Sequence, residues 1–194
     1  MYRAMTWDYA AYPARFCGPA PAGIAWDLGA RLPQASSTQS AEALTFHLDR
    51  RDFSSANQSS LIPYYFGRRN PLMRRDFYTT LLRCGIDNLD SYPVILRDYD
   101  GVPLPEAYVA VMVVGLIEAV DLEQSHVAVG GFAGGRGKKF ERFVIDPART
   151  RGARLFRLAE DPTQVWVDDT VVDQLQAAGL FHLRFWRPSQ VASL

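Results

Sequence analysis

The alternation of apolar and polar residues predicts that most of the chain forms β-strands. At 43–50, Leu44, Phe46 and Leu48 alternate with polar residues, which predicts a half-buried strand. The segment 107–121 is almost continuously apolar and rich in β-branched residues, which predicts a central strand covered on both faces. Further strands are predicted at 6–9 and 24–27 (as edge strands), at 92–104 with a turn at Asp100 and Gly101, and at 140–146, 153–160, 164–168 and 180–186.

The segment 70–85 has the spacing of a helix. Its apolar residues recur every four positions, and Asn70 followed by Pro71 is a good start for a helix. Gly85 is the expected stop, because glycine reaches the left-handed conformation that ends many helices.

A second helical pattern occupies 168–179. Asp168 or Asp169 is the predicted N-cap, and Gly179 is the predicted stop. We therefore predict two main helices, at about 70–84 and 168–178.

The element pattern predicts an α+β fold with a largely antiparallel sheet, because strands dominate and the helices do not alternate regularly with them. The chain of 194 residues is long enough for one domain with a sizeable core. It shows neither an internal repeat nor a linker. We predict a single domain, 1–194, with an irregular N-terminal part (1–40) and an α+β core (41–186).

The charge balance argues against nucleic acids and anionic membranes as partners. The chain has 21 basic and 21 acidic residues, so no net charge attracts a nucleic acid or an anionic membrane. We predict neither as a partner.

Cys17 and Cys84 form no CxxC pair; two free thiols in a reducing cytosol are predicted, with a disulfide as the alternative. The first residues lack the continuous apolar region of a signal peptide.

The glycine-rich segment 127–140, VAVGGFAGGRGKKF, invites comparison with a phosphate-binding loop. A P-loop requires Lys where Arg136 stands, and the dinucleotide fingerprint requires a small residue where Phe140 stands. We interpret the segment as a basic connection between two strands and predict no cofactor.

Candidate catalytic groups do not form a recognisable motif. His47 and His182 lie in predicted strands, and His126 follows Ser125 directly, so the two side chains point apart on an extended chain. No metal site is predicted. Five carboxylate clusters, at 87–90, 98–100, 121–123, 160–161 and 168–169, keep one alternative open: a small hydrolase or transferase with a carboxylate or histidine site that the sequence does not reveal.

The order of segments after the first predicted helix is distinctive. It runs GIDNLDSYPVIL (85–96), VVGLIEAVDLEQSHV (113–127), KKFERFVID (138–146), RLFRLAE (154–160), QVWVDDTVVDQLQAAGL (164–180) and FHLRFW (181–186). This series resembles the immunity protein 11 family of bacterial polymorphic toxin systems. VDLEQS and LFRL are its most specific pieces, and the resemblance covers about the last 120 residues well.

The resemblance implies a non-enzymatic cytoplasmic protein that binds and neutralises a cognate toxin domain, with no catalytic residues to transfer. Tight interfaces concentrate their binding energy in a few aromatic or Arg side chains. Three Arg doublets in the first half, the second beside aromatic residues, are interpreted as a solvated face with local ion pairs, with a protein interface as the alternative. The predicted partner-binding residues are Trp26, Tyr64, Tyr65, Arg68, Arg69 and Trp186. The glycine-rich segment is a further candidate contact, and the oligomeric state stays open.

Overall fold

A computed structural model describes residues 1–8, 27–31, 43–48, 64, 72–127, 140–142 and 144–191. Within these residues the strands are β1 (Tyr2–Trp7), β2 (Leu44–His47), β3 (Leu72–Arg74), β4 (Leu89–Arg97), β5 (Tyr108–Val113), β6 (Leu116–Ile117), β7 (His126–Val127), β8 (Phe140–Arg142), β9 (Leu155–Leu158), β10 (Val165–Asp168) and β11 (Leu183–Trp186). The helices are α1 (Arg75–Arg83), α2 (Asp169–Ala177) and α3 (Pro188–Val191).

The described strands form three sheets. One has five strands in the order β11-β1-β10-β9-β6, one has four in the order β2-β4-β5-β3, and β7 pairs with β8. Neighbouring strands are antiparallel except for β6 with β9 and β2 with β4. The predicted α+β class with largely antiparallel pairing is confirmed, although several sheets take the place of the one predicted.

Strand β5 is the centre of the four-stranded sheet. All six of its residues are buried, as predicted, but the single strand predicted at 107–121 divides, and β6 pairs with β9 in the five-stranded sheet. Val109 and Val111 face the five-stranded sheet and the helices, whereas Tyr108 and Ala110 face a separate cluster on the other side.

Three apolar clusters fill the spaces around the two large sheets. The main cluster lies between the sheets and takes side chains from β1, β3, β5, β9, β10, β11, α1 and α2. A second cluster lies on the opposite face of the five-stranded sheet and contains Ala4, Phe156 and Trp166. A third, with Phe46 and Leu96, covers the outer face of the four-stranded sheet. Alternation along each strand assigns neighbouring residues to different clusters.

The start of the first helix differs from the prediction. Residues 72–74 form strand β3 and α1 begins at Arg75, while 70 and 71 lie outside the described residues. Leu72 and Met73 are each almost fully buried, on opposite faces of the sheet, and pair with Ala110 and Val109 of β5. In a helix that packs against the core with one side, neighbouring residues such as Leu72 and Met73 would not both be buried in this way. Pairing with β5 buries both, so it overrides the local helix signals.

The other helix signals are confirmed. The Asp168 side chain accepts a hydrogen bond from the backbone N–H of Val171 at 2.8 Å, which caps α2. Gly85 and Gly179 follow α1 and α2 with φ angles of 77° and 79°, in the left-handed region expected at a helix stop.

The first strand also differs from the prediction. We expected an edge strand at 6–9, but β1 pairs with β10 on one side and β11 on the other. The predicted strand at 24–27 lies outside the described residues apart from Asp27, which is in no strand.

Two further observations concern predictions made above. Cys84 is a buried, free thiol, and Cys17 lies outside the described residues. Among the described helices, none combines the length and apolar character that crossing a membrane requires.

Candidate partner-binding surface

Tyr64, one of the predicted anchors, packs against the main core. Its ring stands edge-on to Trp7, with centroids 5.7 Å apart, and stacks on His182 at 5.9 Å. The Arg74 guanidinium lies 3.9 Å from its ring centroid, and Arg74 also pairs with Asp76 through a 2.8 Å hydrogen bond. Tyr64 therefore has a packing role that accounts for its ring.

Trp186 has a comparable position on the other side of the five-stranded sheet. It lies on β11, is half-buried and packs against the second cluster. The Arg184 guanidinium lies 5.4 Å from its ring centroid. Its buried indole N–H has no hydrogen-bond partner within the described part of the chain.

The structure does not bring Tyr64 and Trp186 together. They contact clusters on opposite faces of one sheet, so a partner that touches both must reach around the edge strand β11. The other four predicted anchors, Trp26, Tyr65, Arg68 and Arg69, lie outside the described residues, as does most of the glycine-rich segment.

Members of four of the five carboxylate clusters are held in caps and turns. Asp168 caps α2, and Asp98 accepts hydrogen bonds from the backbone N–H groups of Asp100 and Val102. Asp121 accepts from Glu123 and Gln124, and Asp161 accepts from Thr163 in the same way. These contacts are typical of Asx turns and N-caps. No group of three or more His, Cys, Asp or Glu that could hold a metal ion occurs among the described residues.

Two histidines, His47 and His182, were predicted to lie in strands, and the structure confirms this for His47 only. His47 is exposed on β2, as the alternation indicates. His182, which we placed in a strand, lies in the turn before β11. Its ring stacks on Tyr64 and is tilted towards Trp7, and its carbonyl accepts a hydrogen bond from the backbone N–H of Asp8.

A tight hairpin follows β4 at the end of the four-stranded sheet. Arg97 pairs with Pro103, and the backbone N–H of Asp98 donates to the carbonyl of Val102 at 2.8 Å. This pairing leaves the three-residue loop 99–101, whose last residue, Gly101, has a φ of 84°. Three-residue hairpin loops commonly use such a residue. The predicted Asp100–Gly101 turn is thereby confirmed.

Apolar side chains are exposed along this hairpin. Val102 is 58% exposed, Tyr99 41% and Ile95 37%, and Pro93 and Pro103 are exposed as well. The face that carries Pro93 and Ile95 is covered at β5 and β3 by the main core, but that cover ends before Ile95. Sequence reasoning found the turn and missed the exposure, because alternation cannot show where the covering layer ends.

Comparison with known families decides the affiliation. Residues 79–189, more than half of the chain, match the family described as Immunity protein family (Imm11). The chain belongs to this immunity protein family. No curated protein matches it.

The Imm11 match and the predicted anchors overlap only in part. The matched residues include α2, the β4 hairpin and Trp186, whereas Tyr64 and the arginines of 68–69 precede them. The segments on which the resemblance rests, 85–96 to 181–186, lie inside the match. In this Imm11 chain the match covers the strands from β4 to β11, helix α2 and the end of α1, whereas β1, β2 and β3 lie before it.

Proposed function

We propose that this protein is an immunity protein that binds a cognate bacterial toxin domain in the cytoplasm and neutralises it without catalysing a reaction. The observation that carries the proposal is the match to the immunity protein family over residues 79–189. An immunity protein acts by occupancy, so a rigid folded surface is the property it needs.

The described carboxylates are consistent with this role. In four of the clusters, at least one carboxylate accepts hydrogen bonds from nearby backbone or side-chain groups, which fixes the local chain. A stable scaffold of caps and turns presents exposed side chains in fixed positions, which lowers the entropy lost on binding.

The required affinity sets the size of the interface. A toxin must be kept at very low free concentration, which calls for a dissociation constant of about 1 nM or below, roughly 12 kcal/mol. Stable interfaces of this kind commonly bury about 800 Å² per partner around a few anchor residues. We propose Trp26, Tyr64, Tyr65, Arg68, Arg69 and Trp186 as candidate anchors.

Co-expression tests the proposal directly. The gene for this chain is expressed together with the toxin-like domain encoded beside it, and survival and co-purification are measured. We expect rescue and a stable complex of the two proteins. Death of cells that contain both proteins in soluble form would contradict immunity against that toxin and would direct attention to the hydrolase alternative.

The arginine pair gives a more specific test. The double variant Arg68→Glu with Arg69→Glu is expected to fold and to lose protection, because charge reversal repels the acidic groups that an arginine anchor contacts. Arg83→Glu, on the exposed last turn of α1, is the control with the same kind of charge change. Full protection by the double variant would remove this pair from the interface.

A further inference from the structure

The tip of the β4 hairpin, residues 98–103, combines rigidity with exposed apolar side chains. Asp98 Oδ1 accepts hydrogen bonds from the backbone N–H of Asp100 at 3.0 Å and of Val102 at 2.8 Å. The Arg97 guanidinium donates to the carbonyl of Gly101 at 2.7 Å, which ties the loop back to the strand. This hairpin tip is therefore held in one conformation by its own contacts.

The exposed side chain of Val102 takes no part in the hydrogen bonds that hold this conformation. The bonds above involve the backbone and two polar side chains, while Val102 is more than half exposed. Exposed apolar residues that lie together on a folded protein can form a contact site, and Tyr99, Val102 and Pro103 are exposed on this one turn. A preformed tip also binds with a smaller loss of conformational entropy than a flexible loop.

The pairing register places an exposed apolar side chain on each face of the hairpin, beside a charged one. Ile95, Arg97 and Pro103 share one face, because residues paired across the hairpin project together and alternate residues repeat. Asp98 and Val102 pair across the hairpin and share the other face. A partner can therefore enclose the tip rather than only lie against one side of it.

Strand addition does not suit this hairpin. Its returning chain carries Pro103 and Pro105, which lack the N–H that a pairing strand needs. Recognition must therefore use side chains that enter a recess in the partner.

Charge specifies the rim of that recess. Asp98 and Asp100 bring two carboxylates to the hairpin tip, and the neighbouring Arg97 donates to the carbonyl of Gly101 within the turn. Interfaces pair opposite charges around an apolar centre. The complementary surface is an apolar recess bordered by Lys or Arg side chains.

We propose that the hairpin tip, with Tyr99 and Val102 as its apolar contacts, inserts into an apolar, cation-rimmed recess of the cognate toxin domain. This inference rests on the proposed function and specifies where the toxin binds. The tip alone is smaller than a stable interface, so Ile95 and the exposed β2 residues Thr45 and His47 beside it extend the contact.

The test uses matched variants of the full chain and the purified toxin domain encoded beside its gene. Val102→Gln places an amide at the hairpin tip, and Leu82→Gln makes the matched change on α1, where Leu82 is 43% exposed. We expect Val102→Gln to raise the Kd about tenfold or more, as removal of a central contact does. Leu82→Gln should leave it within about twofold.

A second pair of variants tests the charge of the rim. Asp100→Lys should weaken binding by about tenfold and more strongly at low salt than at high salt, whereas Asp173→Lys, exposed on α2, should not. Thermal unfolding of every variant shows whether it is folded.

The outcomes separate the two proposals. No binding by the wild-type chain would contradict the proposed function and this inference together. Tight wild-type binding that neither Val102→Gln nor Asp100→Lys weakens would overturn the hairpin tip alone and leave the proposed function in place. A wild-type dimer that dissociates with Val102→Gln would also overturn it, because the tip would then serve contact between two copies.

Discussion

Arg154 pairs with Asp168, with Nε of the guanidinium 3.3 Å from Oδ2 of the carboxylate, and this pair connects the ends of the two main helices. Asp168 caps the start of α2, while Nη1 of Arg154 donates to the carbonyl of Cys84 at the end of α1. The remaining nitrogen reaches Thr170 in the first turn of α2 at 2.9 Å. One guanidinium thus satisfies a helix C-terminus and supports a helix N-cap.

Arg154→Met is expected to lower the free energy of unfolding by about 1–3 kcal/mol. The ion pair is part-exposed and contributes less than about 1 kcal/mol, so most of the loss comes from the Cys84 carbonyl and the α2 cap. Chemical denaturation measures this change. Arg187→Met, at an exposed position before α3, is the control and should have little effect. Equal unfolding midpoints for the two variants would contradict the connecting role.

Asp168 and Asp76 make the stability sensitive to acid. Partial burial raises the pKa of Asp168, but hydrogen bonds from Thr170 and Val171 and the charge of Arg154 outweigh it, so its pKa lies below 3.8. The hydrogen bond from Arg74 lowers the pKa of Asp76 below the same value, and partial burial opposes it. Because the folded pKa values lie below the unfolded ones, both carboxylates stabilise the fold above about pH 4.

We expect stability to fall as the pH drops from about 5 through 4 and below the lowered folded values. Urea unfolding at a series of pH values measures this. Asp168→Asn should be less stable than the wild type at pH 7 and should show a shallower loss between pH 5 and 3. Parallel curves for the two proteins would show that Asp168 does not contribute to the acid sensitivity.

Local signals predicted those parts of the fold that depend on local contacts. Asp168 and Gly179 bound α2 as expected because a cap and a left-handed stop act within one turn of the chain. The start of α1 was wrong because Leu72 and Met73 gain strand partners on β5, far along the chain. Nothing in the helical spacing of that segment records such a partner.

The candidate surface also depends on contacts between residues far apart in the sequence, which local patterns do not show. Tyr64 is an aromatic residue beside an Arg doublet in the sequence, a pattern equally compatible with an interface and with the core. Its ring contacts Trp7 and His182, which lie near the two ends of the chain and cannot be foreseen from neighbouring residues. Ile95 lies on the face that the main core covers at β5, and it is exposed because that cover ends before it, which depends on tertiary packing.

Arg157 is a buried cation, and we expect it to be important for stability. It is 6% exposed, and its Nη1 donates to the carbonyls of Pro162 at 2.8 Å and Thr163 at 3.3 Å, which hold the turn before β10. Arg157→Met should cost about 2–3 kcal/mol, since it leaves these carbonyls without their donor. Arg157→Lys should lose less, because it keeps a charge and one donor site. A melting temperature of Arg157→Met equal to the wild type would contradict this role.

Gly29 and Leu116 form a close contact that a double-mutant cycle can measure. Gly29 has a φ of 85° and forms a bridge to Val114, and a methyl group added to it would lie 2.5 Å from Cγ of Leu116. Gly29→Ala should therefore pay about 1–2 kcal/mol for its backbone conformation and about 1 kcal/mol more for the displaced leucine. The leucine is part-exposed, which keeps the second cost small.

Gly115→Ala is the matched control, because Gly115 has a φ of 91° and open space where the methyl group would go. It should lower the free energy of unfolding only through the strained backbone conformation. In a Leu116→Ala background, Gly29→Ala should become as mild as Gly115→Ala, a coupling of about 1 kcal/mol between the two positions. Additive effects of Gly29→Ala and Leu116→Ala on the free energy of unfolding would show that the leucine moves aside at no cost and that φ alone requires glycine here.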